Sequence, residues 1–211
     1  CAGVSDRKLG DIESDIKSLN AKSFPVLDDA RGEEMAQRIL KAREEAYSVG
    51  GVTETVICGT PAGVGEPWFD SVESIISHAA FSLGGVKGIE FGAGFAAADM
   101  KGSECNDPLR VSGGRIVTTT NNNGGVNGGI TNGMPIVFRC AVKPTPSIAQ
   151  TQDTVDFIKN ENTQLSIHGR HDPAIIRRIC PVLDSVAALC VADMLSLRYG
   201  TDVLTKGVDD K

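Results

Sequence analysis

An α+β fold, antiparallel strands with helices packed on one face, is what this chain predicts, and three observations lead there. Apolar residues change from helical to alternating spacing along the chain in the order β-α-β, long loop, β, β, β, α, without the regular strand–helix repeats of a parallel sheet. The chain has 211 residues, 41% of them hydrophobic, enough for one compact core. Its 24 glycines gather in loops, above all at 124–133, where five fall within ten residues and exclude both helix and packed strand.

The elements follow in order. Residues 1–30 are polar and irregular, with a short helix around Asp11–Ile16. Residues 33–47 read as a helix: Met35, Ile39 and Leu40 recur at helical spacing, acids start it, and Gly50-Gly51 stops it. Residues 52–58 alternate as a strand does. Residues 68–83 make a second helix closed by Gly84-Gly85, and residues 89–100 a strand with a glycine kink. Residues 101–133 form a loop of Gly/Asn-rich character, expected to be mobile and to serve a ligand, since structureless stretches of that length are uncommon in compact domains. Strands follow at 136–142, 154–159 and 164–168. A long helix at 173–197 then presents Ile176, Val182, Val186, Leu189 and Met194 as its apolar face, with Pro181 breaking or bending it.

Composition narrows the function. A net charge of −6 argues against a general nucleic-acid surface. No stretch approaches about 18 uninterrupted apolar residues, so no membrane span is expected. The six cysteines form no C-x-x-C pair and read as buried free thiols of a reducing, cytoplasmic setting. No metal site is expected. Among motifs, Gly92-Ala93-Gly94 at a strand end starts a dinucleotide-binding pattern, but Ala97 stands where its last glycine belongs.

Four blocks carry more. Residues 59–67 (GTPAGVGEP), 86–92 (VKGIEFG), 124–135 (GGVNGGITNGMP) and 169–173 (GRHDP) follow one another in an order that resembles chorismate synthase, the flavin-dependent family that closes the shikimate pathway. Two departures stand out, Ala174 where the family usually has cysteine and Asn127 where it more often has serine or leucine; neither position has an evident chemical duty. The opening Cys1-Ala2-Gly3 matches a point well inside the family's sequence, and the family's G-E-S-H-G motif is not among these residues. The resemblance therefore implies a C-terminal portion, expected to be inactive alone, of the family's β-α-β sandwich. It implies an enzyme that converts 5-enolpyruvylshikimate 3-phosphate to chorismate and phosphate with reduced FMN, with NADPH only in bifunctional members, as a homotetramer.

The site residues follow from both sources. Lys143, Thr145 and Ser147 offer a cation and two hydroxyls, a phosphate clamp, although with Pro144 and Pro146 they also read as an ordinary strand exit with turn chemistry. The resemblance places Gly84, Gly85, Gly128, residues 143–147 and Arg170 at flavin-contacting positions. Arg170 is also suited to a substrate's anionic groups. Asp172 reads as a helix N-cap from its own context, and the resemblance adds a role in removing the substrate proton near the flavin. His171 reads as orienting or packing; His78 and His168 receive no role. A non-catalytic glycine-loop module that binds a nucleotide or a protein is the alternative.

Overall fold

The computed structural model describes residues 1–207, which form two compact units. The first comprises Cys1–Val52 and Val142–Ile179, the second Thr53–Ala141 and the chain from Cys180 onward.

The first unit opens on α1 (Ile12–Asn20) and α2 (Asp29–Glu44). The segment before α2 is tied down by carboxylates. Asp6 accepts from the Leu27 and Asp28 amides at 2.6 and 2.9 Å, and buried Asp15 pairs with Arg7. Asp28 caps α2 by accepting from the Ala30 and Arg31 amides, so the helix starts four residues before the expected 33. It ends at Glu44, before the expected glycines, because Ala46 turns to φ 58°. Val4, Val26 and Met35 form the buried core against Cys1 and Phe24, and Arg177 lies 4.7 Å over the Phe24 ring. Leu40, expected inside, faces solvent. Later in the chain β8 (Gln152–Asp156) and β9 (Glu161–Leu165) pair antiparallel, about two residues before the expected spans.

In the second unit β1 (Gly51–Ile57), β7 (Ile136–Val142) and β2 (Val86–Phe91) make a sheet ordered β1-β7-β2. One face of β7 buries Ile136, Phe138 and Cys140, the expected period of two. Phe138 meets Phe91 at 5.6 Å between ring centroids, and Arg139 on the opposite face pairs with Glu90 at 2.9 Å. The helix expected over 68–83 is broken: Trp68–Asp70 is a single 3-10 turn, and α3 (Val72–Phe81) begins afresh where Ser71 accepts from the Ser74 amide. Trp68 sits at φ 67°, which no continuous helix allows. Packed on β2, α3 buries Val72, Ile76 and Ala80. The strand expected to reach residue 100 stops at Phe91, and Gly94–Asp99 is 3-10 helix, held where Glu90 accepts from the Phe95 amide.

Residues 101–133 are not one loop. They hold α4 (Gly102–Cys105), the hairpin β3 (Leu109–Ser112) and β4 (Arg115–Thr118), and the short hairpin β5 (Val126–Asn127) and β6 (Ile130–Thr131). The long helix is α5 (Ile176–Tyr199), with Pro181 inside it. Its buried stripe in the second unit is Leu183, Ala187, Val191 and Met194, so the expected face was wrong at Val182 and Leu189, which are 43% and 70% exposed. By length and composition α5 could cross a membrane, but a stripe buried at helical spacing is how a core helix is built. A four-residue α6 (Val203–Lys206) follows. Of the cysteines expected inside, only Cys140 is fully buried, and burial pushes its thiol up to about 11; Cys58 is exposed.

Candidate functional site

After β7 the chain enters residues 143–150, held by hydrogen bonds that include three short ones. Ser48 Oγ donates to the Thr145 carbonyl at 2.6 Å, Gln150 Nε2 to the Glu45 carbonyl at 2.7 Å, and Ser166 Oγ to the Ala149 carbonyl at 2.8 Å. The proline-flanked exit read from sequence is thus present. So are unspent polar groups: Thr145 Oγ1 is buried with no hydrogen-bond partner, and Lys143 has none among the described residues. A buried orphan hydroxyl is uncommon and costs stability unless something else satisfies it.

The GRHDP segment, like residues 143–150, lies in the first unit. Gly169 takes φ 151°, a conformation that residues with a Cβ rarely adopt. The Val49 amide donates to the Pro173 carbonyl at 2.8 Å and fixes the far end of the segment. His171 Nε2 lies 2.9 Å from the Ile167 carbonyl. A carbonyl only accepts, so the contact is made by the tautomer with Nε2 protonated, and it holds the ring against the turn. Asp172 is not the N-cap of α5, which starts four residues later at Ile176. Its Oδ1 accepts from the Ala174 amide at 3.1 Å in an Asx turn, and its Oδ2 is ion-paired with Arg178. Arg178 was missed by sequence reading, because a partner six positions away across a turn follows no helical or strand period.

Arg170 opens onto a cavity of about 410 Å³ that it shares with Arg43 of α2, Tyr47 just beyond that helix, Ile148 and His171. Neither guanidinium has a hydrogen bond or ion pair among the described residues. Arg43 had no sequence signal; it stands in the last turn of a helix, where a cation is ordinary.

The second unit holds the glycines. Gly124, Gly125 and Gly129 all take positive φ, and a Cβ on any of them would strike protein backbone: Gly92 N, Pro135 O and Glu66 O, respectively, the last at 2.7 Å. These three are there for chain packing. Gly128, at φ 61°, has no atom within 4 Å of its Cβ position, and Gly84 is equally open. Gly85 adopts φ 100° after α3. The expected flavin positions in this unit therefore include two that face open space, whereas Gly124, Gly125 and Gly129 are closed in by neighbouring backbone. Gly92 and Gly94, the start of the dinucleotide pattern, are filled by Asn122 and Glu90.

Asp107 organises this region and was also missed. It accepts from Thr120 Oγ1 (2.7 Å), the Asn122 and Asn123 amides (2.7 and 2.9 Å) and Asn123 Nδ2 (2.8 Å). Partial burial works against its charge, but these donors prevail and hold its carboxyl below the ordinary aspartate value. Asn121 continues the lattice by accepting from the Gly125 amide at 2.8 Å and donating to the Pro135 carbonyl at 2.8 Å. An acid in Asn106-Asp107-Pro108 is a turn signal in sequence, but its four partners lie 13 to 16 residues away.

A sequence profile described as chorismate synthase matches residues 5–196. The chain belongs to the chorismate synthase family. It is 48% identical over 183 residues to the chorismate synthase of Methanosarcina acetivorans, covering 86% of this chain and 50% of that one. Against the chorismate synthase of Chitinophaga pinensis it is 47% identical over 205 residues, covering 97% of this chain and 59% of that one. A crystal structure of chorismate synthase superposes with a TM-score of 0.72 at 29% identity, covering 90% of this chain and 50% of that one. The chain thus spans about half the length of the relatives it matches. The family's arrangement of helices with antiparallel sheets is the arrangement seen here.

Proposed function

We propose that this chain contributes the 143–147 and GRHDP segments to a chorismate synthase, a carbon–oxygen lyase of the shikimate pathway. The reaction converts 5-enolpyruvylshikimate 3-phosphate to chorismate and phosphate by anti-1,4-elimination without net redox change. The observation that carries the reading is the coincidence of two facts. The family match runs through both segments, and Thr145 and Lys143 in the first of them and Arg170 in the second keep polar groups with no partner among the described residues.

Those groups fit FMN. In the first unit Lys143 supplies a cation, Thr145 and Ser147 supply hydroxyls between Pro144 and Pro146, and Arg170 supplies a fork of donors for an anionic oxygen pair. Reduced FMN, when bound, supplies transient electron density to the substrate as the phosphate leaves. Asp172 is the group that assists removal of the ring proton. Its Ala174 and Arg178 contacts occupy part of the carboxylate's acceptor capacity and fix its plane, leaving lone pairs for a proton. His171, bound to the Ile167 carbonyl, sets the turn that carries Asp172. The assembly proposed is a cytoplasmic homotetramer, with NADPH used only if flavin reduction is intrinsic; the free thiols Cys105, Cys140 and Cys190 accord with a reducing compartment.

The test is an anaerobic assay on a family-length protein carrying these residues. Chorismate should form only with reduced FMN, and Arg170→Ala or Thr145→Val should weaken flavin binding. Undiminished flavin affinity in both variants would remove the assignment.

A further inference from the structure

We propose that Trp68 and Phe69 of one copy of this chain dock against the β3–β4 hairpin of a second copy. The inference rests on the homotetramer of the preceding reading and gives it one contact surface. Both halves of the contact lie in the second unit, so a two-fold pair makes it twice, hairpin to rings and rings to hairpin.

Both rings are 85% exposed and meet edge-on at 6.2 Å between centroids. Trp68 holds φ 67°, a costly backbone for a bulky residue, and a ring left in solvent recovers little of that cost by packing. The turn is closed all the same. The Glu66 and Ser71 amides donate to the Asp70 and Trp68 carbonyls at 3.3 and 3.4 Å, which keeps both rings in place. The hairpin is presented in the same way. Leu109, Val111 and Ile116 share one of its faces, Val111 directly opposite Ile116, and all three are exposed. Its base is tied by the Thr119 amide on the Pro108 carbonyl at 3.0 Å and by Thr120 on Asp107. Surfaces held ready in this manner lose less freedom on association.

Charge selects the partner. Glu66 and Asp70 flank the rings, Arg110 and Arg115 flank the apolar residues of the hairpin, and none of the four is in an ion pair among the described residues. A guanidinium can meet those carboxylates or stack on Trp68 itself. With only two strands, about 4.8 Å apart, every hairpin residue stands at an edge, and long arginine side chains reach past it. A second copy is the occupant that carries both members of the match. At about 150–250 Å² per ring, the aromatic side chains of a two-fold pair alone supply about half of the roughly 1,600 Å² of a standard interface.

The experiment is sedimentation equilibrium of the 211-residue chain and its variants over a dilution series. The wild type should associate reversibly, and amides of residues 109–118 should exchange more slowly as concentration rises. Trp68→Gly suits the left-handed backbone and removes the ring. It should melt no earlier than the wild type in dilute solution, yet weaken association by about tenfold or more. Ile116→Ser should weaken it as well. Phe157→Ser, at the exposed turn after β8, is the control and should associate as the wild type. Charge reversal tests the pairing. The chain with Arg110→Glu and Arg115→Glu, and the chain with Glu66→Lys and Asp70→Lys, should each dissociate. An equimolar mixture of the two should recover association, because both contacts then join opposite charges again. If Trp68→Gly misfolds, that mixture carries the test by itself. A monomeric wild type, equal loss in Phe157→Ser, or a mixture that does not recover overturns the proposal. Association untouched by every variant overturns it too, and leaves the homotetramer to other surfaces. A family-length protein that stops at a dimer through this contact would do the reverse.

Discussion

Asp172 and Asp107 show how differently two carboxylates can be spent. Asp172 sits on a turn, with one oxygen on the Ala174 amide and the other on Arg178, whose side chain is largely exposed. Asp172→Asn keeps an acceptor for Ala174 and loses a screened ion pair, so stability should fall by less than about 1 kcal/mol. If the carboxylate takes part in proton removal, turnover of a family-length enzyme should drop by about 10²-fold or more. Flavin affinity should hardly change. Chemical denaturation beside steady-state kinetics checks both, and near wild-type turnover in a well-folded Asp172→Asn enzyme would reduce the residue to a turn former. Asp107 has no such freedom, because four donors converge on it. Asp107→Ala strands all four and should cost about 1–3 kcal/mol.

At the scale of elements, the glycine segment divides into packed and open positions. Gly125→Ala combines φ 81° with a Cβ aimed into the Pro135 carbonyl, so it should cost well over the roughly 1–2 kcal/mol that left-handed backbone alone imposes. Gly128→Ala has the same backbone problem and no clash, so its loss should stay within that range. Thermal unfolding of the two variants separates them; equal losses would mean that the open space at Gly128 is filled. Asn side chains lace residues 121–133, whereas β3–β4 is a two-stranded hairpin exposing Val111 and Ile116 across from each other. Amide exchange should accordingly be slower in the Asn-laced stretch than in that hairpin, since two strands alone are marginal in water. Strand β1 makes a related point. It buries Thr53 and Thr55 and leaves Val52 out, and Thr55 Oγ1 donates at 3.1 Å to Asp184 of α5.

At the scale of the whole molecule, its acids set the response to pH. Asp15 is held below the ordinary aspartate value by its Arg7 hydrogen bond. Glu34 is held below the ordinary glutamate value by Arg31, and Asp107 is lowered by its donors in spite of burial. Each folded value lies below the unfolded one, so the stabilisation is complete above the unfolded value and is lost as pH falls through the folded one. Asp184 runs the other way: burial raises its carboxyl despite the Thr55 hydrogen bond, so protonation favours its folded form. Three against one, melting temperature should fall as pH drops below the ordinary values of 4.5 for glutamate and 3.8 for aspartate. Asp107→Asn should blunt that fall, and a wild-type Tm flat to acid would refute the account. The chain matches about half of each relative's length. We therefore expect these 211 residues alone to show no chorismate formation under anaerobic conditions with reduced FMN. Turnover by them would place the whole catalytic set within this chain.

By itself the sequence determined what short-range chemistry fixes. The 136–142 strand followed from a short apolar run between a glycine loop and a proline turn, the need for positive φ at residues 124–133 followed from glycine, and family membership followed from four motifs in order. Only the tertiary structure decided the choices that depend on distant neighbours. Ser71 and Trp68 break a helix that periodicity runs through, and Val182 and Leu189 face outward where helical spacing alone turns them in. Arg178 claims Asp172, Asp107 gathers donors from more than a dozen residues on, and Arg43 joins Arg170 across more than a hundred positions of chain. The reason is physical: a period records which side of an element is apolar, whereas a hydrogen bond or a shared cavity depends on where the chain returns, and that is set by packing summed over the fold.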